Sequence, residues 1–350
     1  MKSFFAIAVR FTRSGLAKWL AGGTLACLGT AALTLHFWLP EALQPEGAVV
    51  SASASSDEPI QPIAALPNLD AGKVELGRKL FHDPRLSHSD ELSCASCHDV
   101  ASGGADSRVH SIGIYGAVSP INTPTVLNSG FNFSQFWDGR AETLEQQVDG
   151  PVLNHSEMGS TWKEVIDKLK RSPDYVKAFR QIYAGDIEDA QIKDSIAVFE
   201  RSLTTPNSRF DRYLRHDDTA LTSREQKGYE LFKTLGCVSC HQGVNIGGNM
   251  YQKLGVMAPY FTDRGHTTKA DGGRFNVTGD PDDMHMFKVP TLRNIELTAP
   301  YFHDGNAKTL DDAVRMMAKY QLGRELSNEE VGLIVEFLKT LTGELNGKPL

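Results

Sequence analysis

Apolar positions in this chain recur at helical spacing. Ile192, Ile196, Phe199 and Leu203 form one such face, which Pro206 stops. Val331, Ile334, Val335, Leu338 and Leu341 form another, and Ser327-x-x-Glu330 before them has the form of a capping box. Thr309-x-x-Asp312 opens a helix through Met317, and Thr161-x-x-Glu164 opens a run to about Tyr183. Two short amphipathic segments repeat one another. One ends in Gly77-Arg78-Lys79-Leu80-Phe81, and the other, capped by Thr222-x-x-Glu225, ends in Gly228-Tyr229-Glu230-Leu231-Phe232. Two-residue alternation is sparse. Residues 99–135 and 242–300 are rich in Gly, Pro and Asn and read as long loops, which in compact proteins are usually functional. The pattern predicts a mainly α protein in two related halves.

The N-terminus follows a different pattern. Lys2, Arg10, Arg13 and Lys18 precede an uncharged stretch of 21 residues, Trp19–Leu39, close to the ~20 needed to span a bilayer. Glu41 and Glu46 follow, so the positive-inside rule puts the N-terminus in the cytoplasm and the body outside. Residues 1–40 are therefore expected to be a signal-anchor or transmembrane segment in the inner membrane, with a cleaved signal peptide as the alternative. Residues 41–66, rich in Ala, Ser and Pro, read as a flexible linker. Either reading exports the body, in the periplasmic sense.

Charge adds a modest constraint. The chain carries a formal net charge of −7, and its first 40 residues hold basic but no acidic side chains, so the exported body is more acidic still. Such a body repels nucleic acid and attracts small basic proteins at long range. A composition of 41% hydrophobic and 23% charged residues is that of an ordinary globular protein.

Cysteine narrows the chemistry. Four of the five cysteines fall in Cys94-Ala95-Ser96-Cys97-His98 and Cys237-Val238-Ser239-Cys240-His241. C-x-x-C-H is the attachment signature of c-type haem, whose vinyl groups take the two thiols while the imidazole takes the iron. A zinc site would want a second ligand pair nearby, and a redox dithiol a βαβ setting; neither is present. Cys27 lies in the N-terminal apolar run. Each repeated helix delivers the chain to one motif, as in a cytochrome c domain. The expected organisation is two cytochrome c-like haem domains with long loops, at 67–215 and 216–345.

Further motifs surround these sites: Gln135-Phe136-Trp137-Asp138-Gly139-Arg140-Ala141, Gly150-Pro151-Val152 leading to Glu157-Met158, and Pro290-Thr291-Leu292-Arg293-Asn294. Pro300-Tyr301-Phe302-His303-Asp304-Gly305 and Tyr320-Gln321-Leu322-Gly323 come after them. In these motifs, taken in order from about Leu76 to Gly343, the chain resembles the bacterial dihaem cytochrome c peroxidases. The resemblance implies reduction of hydrogen peroxide to water. The peroxidatic haem would be held by Cys94, Cys97 and His98, and the electron-receiving haem by Cys237, Cys240 and His241. Met317 matches the axial methionine of the latter, with Met316 as competitor. Glu157 matches the distal acid, Gln147 a polar neighbour, and Trp137 a tryptophan between the haems. Asn122, Thr298 and Pro300 match the positions that hold a calcium ion, whose preference is for hard oxygen ligands. His303 matches a position near the electron-receiving haem. The implied donor is a small cytochrome c or cupredoxin, or a quinol, and members of the family often form homodimers.

One position departs from the family. Many members have a histidine after Ser-Ile-Gly that closes the peroxidatic iron at rest. Here Ser111-Ile112-Gly113 leads to Ile114, which has no ligand atom. His110, four residues earlier, reads as an exposed loop residue. The expected consequence is a peroxidatic site that needs no reductive activation. The competing functions are an electron-transfer module without catalysis, for which Glu157 would be dispensable, and a quinone-cofactor-building oxidase. Relatives of the latter kind carry tyrosine where Met317 stands.

Overall fold

The computed structural model describes residues 58–64 and 68–350, so the expected membrane segment and most of the linker lie outside the described residues. Among the described residues no helix is long and apolar enough to cross a membrane. In chain order come α1 (Ala71–Phe81), α2 (Leu144–Leu153), α3 (Trp162–Lys170), α4 (Pro173–Tyr183), α5 (Asp189–Ser202), α6 (Arg209–Leu214) and α7 (Ser223–Thr234). They are followed by β1 (Tyr251–Lys253), α8 (Tyr260–Arg264), α9 (Phe275–Thr278), β2 (Met286–Lys288), α10 (Leu310–Leu322) and α11 (Asn328–Lys339). β1 and β2 pair antiparallel, Tyr251 opposite Lys288, and a second small pair, β3 (Glu344–Leu345) with β4 (Lys348–Pro349), ends the chain.

Each half rests on two helices that cross at a glycine. A Cβ on Gly77 of α1 would fall 1.9 Å from the Ser195 carbonyl oxygen of α5. A Cβ on Gly228 of α7 would fall 2.0 Å from the Leu333 carbonyl oxygen of α11. Only glycine allows backbones this close, and this is the physical content of the repeated helix ends. Aromatic rings lock both crossings: Phe81 meets Phe199 at 5.2 Å, and Phe232 meets Phe337 at 5.3 Å. The first core gathers round Leu80, Phe81, Ile196 and Phe199, and the second round Tyr229, Phe232, Ile334 and Phe337.

The caps form as read. Thr222, Thr309 and Ser327 each close a capping box with Glu225, Asp312 and Glu330. The expected run from Thr161 to Tyr183 divides into α3 and α4, because Pro173 has no amide hydrogen and instead opens a new helix at its first position. α10 continues past Met317 to Leu322 and ends on Gly323 in the left-handed conformation. The segment 242–300 is not all loop, since β1, α8, α9 and β2 lie within it.

The repeat extends into the loops. Gln135–Ala141 and Tyr301–Ala307 form the same turn: their ends pair as antiparallel bridges, and Phe136 (φ 67°) and Phe302 (φ 69°) take the same left-handed conformation. Trp137 and His303 occupy equivalent places in these turns. Likewise Pro124-Thr125-Val126-Leu127-Asn128 corresponds to Pro290-Thr291-Leu292-Arg293-Asn294. Asn128 and Asn294 both donate to the Thr205 hydroxyl, at 2.7 and 2.9 Å, so the two copies meet at one residue.

Candidate active site

Both C-x-x-C-H motifs sit on single 3-10 turns, Cys94–Ser96 and Cys237–Ser239. The His98 and His241 amides each bond the carbonyl of their first cysteine at 3.0 Å, so the imidazoles leave the turns in the same direction. His98 Nδ1 lies 3.2 Å from the Gly104 carbonyl, and His241 Nδ1 lies 3.4 Å from the Ile246 carbonyl. Donation from Nδ1 fixes the tautomer and leaves Nε2 bare for a metal. Desolvation keeps both imidazoles neutral, pushing His241 down to about 4, and keeps the first cysteines as thiols, pushing Cys94 up to about 12 and Cys237 up to about 11. A buried imidazole beside a pair of cysteines is the donor set that covalent haem attachment uses.

Each motif forms one wall of a cavity. The second cavity, of 490 Å³, is bounded by Cys237, Cys240 and His241 and by Met317 of α10. Met316 packs instead beside the apolar cluster of Tyr260 and Phe261. The first cavity, of 160 Å³, is bounded by Cys94, Cys97 and His98, with Gln147 and Pro151 of α2 and with Glu157. Residues 122–125 and Trp137 line both cavities. Trp137 is held at the junction at both ends: its Nε1–H donates to the Asn122 carbonyl at 2.9 Å, and its own carbonyl accepts from the Lys288 amide at 2.8 Å.

α2 and α10 follow the equivalent turns, and Thr143-Leu144 corresponds to Thr309-Leu310. Counted from those leucines, Pro151 stands where Met317 stands. Both line their cavities, yet one carries a thioether and the other a ring of carbons. This asymmetry is legible once the repeat is aligned, and sequence reasoning missed it.

Glu157 projects from the tight turn after α2. Its amide bonds the Asn154 carbonyl at 2.9 Å, and the Asn154 side-chain amide donates to Glu157 Oε1 at 2.8 Å. Desolvation raises its pKa, while that hydrogen bond and the Arg140 charge oppose the rise. Arg140 also lines the first cavity, paired with Asp138 at 2.9 Å and stacked on the Phe136 ring; sequence reasoning gave it no role.

Ile114 is 4% exposed, and its side chain packs at Gly159, where an added Cβ would lie 2.3 Å from Ile114 Cδ1. Its amide donates to the Glu157 carbonyl at 2.9 Å, so this loop is bound to the turn that carries Glu157. Among the described residues His98 is the only histidine lining the first cavity. His110 is not the exposed residue expected: it is half-buried, with Nδ1 lacking a partner, and it does not line the cavity. Asn122, Thr298 and Pro300 all line the second cavity. His303 lines the same cavity, buried, with Nε2 2.8 Å from Asp271.

Comparison with known proteins places this geometry. The di-haem cytochrome c peroxidase family model matches residues 71–219, and a cytochrome c model matches residues 225–342. A Nitrosomonas europaea protein, cytochrome c551 peroxidase, is 50% identical over 292 residues, covering 83% of this chain and 86% of that protein. The chain belongs to the di-haem cytochrome c peroxidase family. The Escherichia coli (strain K12) cytochrome c peroxidase Ccp is also 50% identical, over 82% of this chain, which spans 62% of that longer relative. A solved MauG-like protein associated with microbial copper homeostasis superposes with a TM-score of 0.72 at 30% identity, over 84% of this chain and 96% of that one. Membership implies two c-type haems, and the two thiol–imidazole walls of this peroxidase-family chain fit them.

Proposed function

We propose that this chain reduces hydrogen peroxide to water with electrons from a c-type cytochrome, with peroxide handled in the first cavity and electrons entering at the second. The observation that carries the division of labour is Met317 in one cavity opposite Pro151 in the other. A histidine–methionine pair saturates an iron and suits electron entry, whereas a site without the second ligand has room for a substrate.

Haem held by Cys94, Cys97 and His98 in the first cavity would supply the Lewis-acid centre and the electrons for breaking the O–O bond. The protein supplies the proton movement. The Glu157 carboxylate takes a proton from one peroxide oxygen and delivers it to the other, which departs as water. The remaining oxygen leaves as a second water after taking up two protons and the donor's two electrons. Asn154 fixes that carboxylate through Oε1, and Gln147 on α2 gives the pocket a second polar group. The Arg140 charge and the Asn154 hydrogen bond oppose, without cancelling, the desolvation that raises the Glu157 pKa. Trp137, common to both walls, is the side chain through which the second site communicates with the first.

Ile114 packed away from the cavity supports a first site open at rest, so that the oxidised protein reacts without prior reduction. A calcium ion between the halves is supported by Asn122. Its amide nitrogen is committed to the Arg108 carbonyl at 2.8 Å, which leaves Oδ1 free to meet a hard cation, and Thr298 and Pro300 line the same cavity. The basic, then uncharged, N-terminal stretch supports export to the periplasm and a tether to the inner membrane.

The test is Glu157→Gln. Peroxide kcat/KM should fall by about 10²–10⁴-fold while both haems load and still accept electrons. An unchanged rate would leave an electron-transfer module.

A further inference from the structure

The second cavity holds one charge that neither the fold nor the reaction yet uses. Lys288 of β2 lines it and is 7% exposed. Among the described residues no other Lys, Arg, Asp or Glu lines that wall. Among the described residues its ammonium has no hydrogen bond and no ion pair, and desolvation, the sole cause acting on it, pushes its pKa down to about 8. The nitrogen keeps some accessible surface, but a largely desolvated cation without a partner is costly, so such groups are retained where an anion meets them. The backbone here is also fixed, since the Lys288 amide donates to the Trp137 carbonyl at 2.8 Å. In the first half the equivalent bond runs from the Asn122 amide to the His303 carbonyl, also 2.8 Å. Lys288 thus occupies the repeat position of Asn122, with an ammonium in place of a neutral amide.

We propose that Lys288 is the countercharge for a propionate carboxylate of the second haem, on the side facing Trp137, and that it raises the reduction potential of that haem. This rests on the reading that the second cavity holds an electron-receiving haem. A carboxylate near an iron favours the ferric state, because it stabilises the extra positive charge. An ammonium that neutralises the carboxylate removes that preference, and in a cavity of low dielectric the effect is large. Lys288 is a positioning residue here; it touches neither peroxide nor iron.

The experiment is a spectroelectrochemical titration of the holoprotein as wild type, Lys288→Gln and Lys288→Arg, with resonance Raman spectra of the propionate bending modes. Lys288→Gln should shift the reduction equilibrium of the second haem at least tenfold toward the ferric form, 59 mV for one electron. It should move the propionate mode and leave the potential of the first haem in place. Lys288→Arg, which keeps the charge, should restore both signals. If Lys288→Gln fails to load haem, the Arg variant against wild type still decides, since an altered propionate mode with an unchanged potential contradicts the proposal. Two loaded haems with wild-type potentials and propionate modes in Lys288→Gln would overturn it, leaving the peroxidase reading intact. Absence of a methionine-ligated second haem in the wild type would overturn that reading instead.

Discussion

At the scale of single residues, burial sets the chemistry. Desolvation holds the pKa of Glu157 above its ordinary value of 4.5. The proposed step needs the carboxylate, so kcat/KM for peroxide should fall on the acid side, beginning at a higher pH than an ordinary glutamate would give. A pH–rate profile checks this, and the acid limb should vanish in Glu157→Gln. Glu200 of α5 is a second case. It is 5% exposed, lines the first cavity, has no partner for Oε2, and is pushed up to about 8 by desolvation. Its folded pKa lies above the unfolded one, so its contribution to stability is full below pH ~4.5 and is lost as pH rises through ~8. Glu200→Gln should therefore match wild type in acid and exceed it by roughly 1–3 kcal/mol above pH 9, as read by thermal unfolding of the holoprotein. Neither the burial of Glu200 nor that of Lys288 is legible in the sequence. The groups that enclose them come from distant segments, and a lone Glu or Lys on a predicted helix or strand reads as solvated.

At the scale of elements, the design is a helix pair used twice. Gly228→Ala should cost about 1–3 kcal/mol or more, because the Leu333 carbonyl cannot yield without moving α11; chemical denaturation of the holoprotein measures it. The α2–α10 correspondence gives a sharper expectation. Pro151→Met should place a thioether where the second half has Met317, give the first haem a second axial ligand, and suppress peroxide turnover at least tenfold. The methionine–iron charge-transfer band would then report two such haems instead of one. Caps and apolar faces were legible because they are local: Thr222, Thr309 and Ser327 each meet their acidic partner three residues on. Pro173 was present but unread, and α2 was hidden by its internal Pro151. The repeated turn was harder still, because Gln135–Ala141 and Tyr301–Ala307 share only Phe, Asp, Gly and Ala, and the differing pair, Trp137 and His303, drew separate readings.

At the scale of the whole molecule, two copies of one haem-binding plan have become unequal through few substitutions. Both keep the crossing glycine, the C-x-x-C-H turn, the imidazole held from behind by a carbonyl, and the Pro-Thr segment that ends at Thr205. They differ in what lines each cavity: a methionine in one half, a proline with a carboxylate and an arginine in the other. Residues 122–125 and Trp137 line both cavities, so the proposed electron route between them stays within the protein. The resemblance carried by local motifs supplied the roles, while only the packed chain supplied the shared wall and the position of Ile114. The central claim is that the first site is open at rest. The measurement is a stopped-flow mixing of the fully oxidised holoprotein with hydrogen peroxide before any reductant is added. An immediate spectral change at the first haem with consumption of peroxide is predicted, and a protein that stays inert until its second haem has been reduced would contradict it.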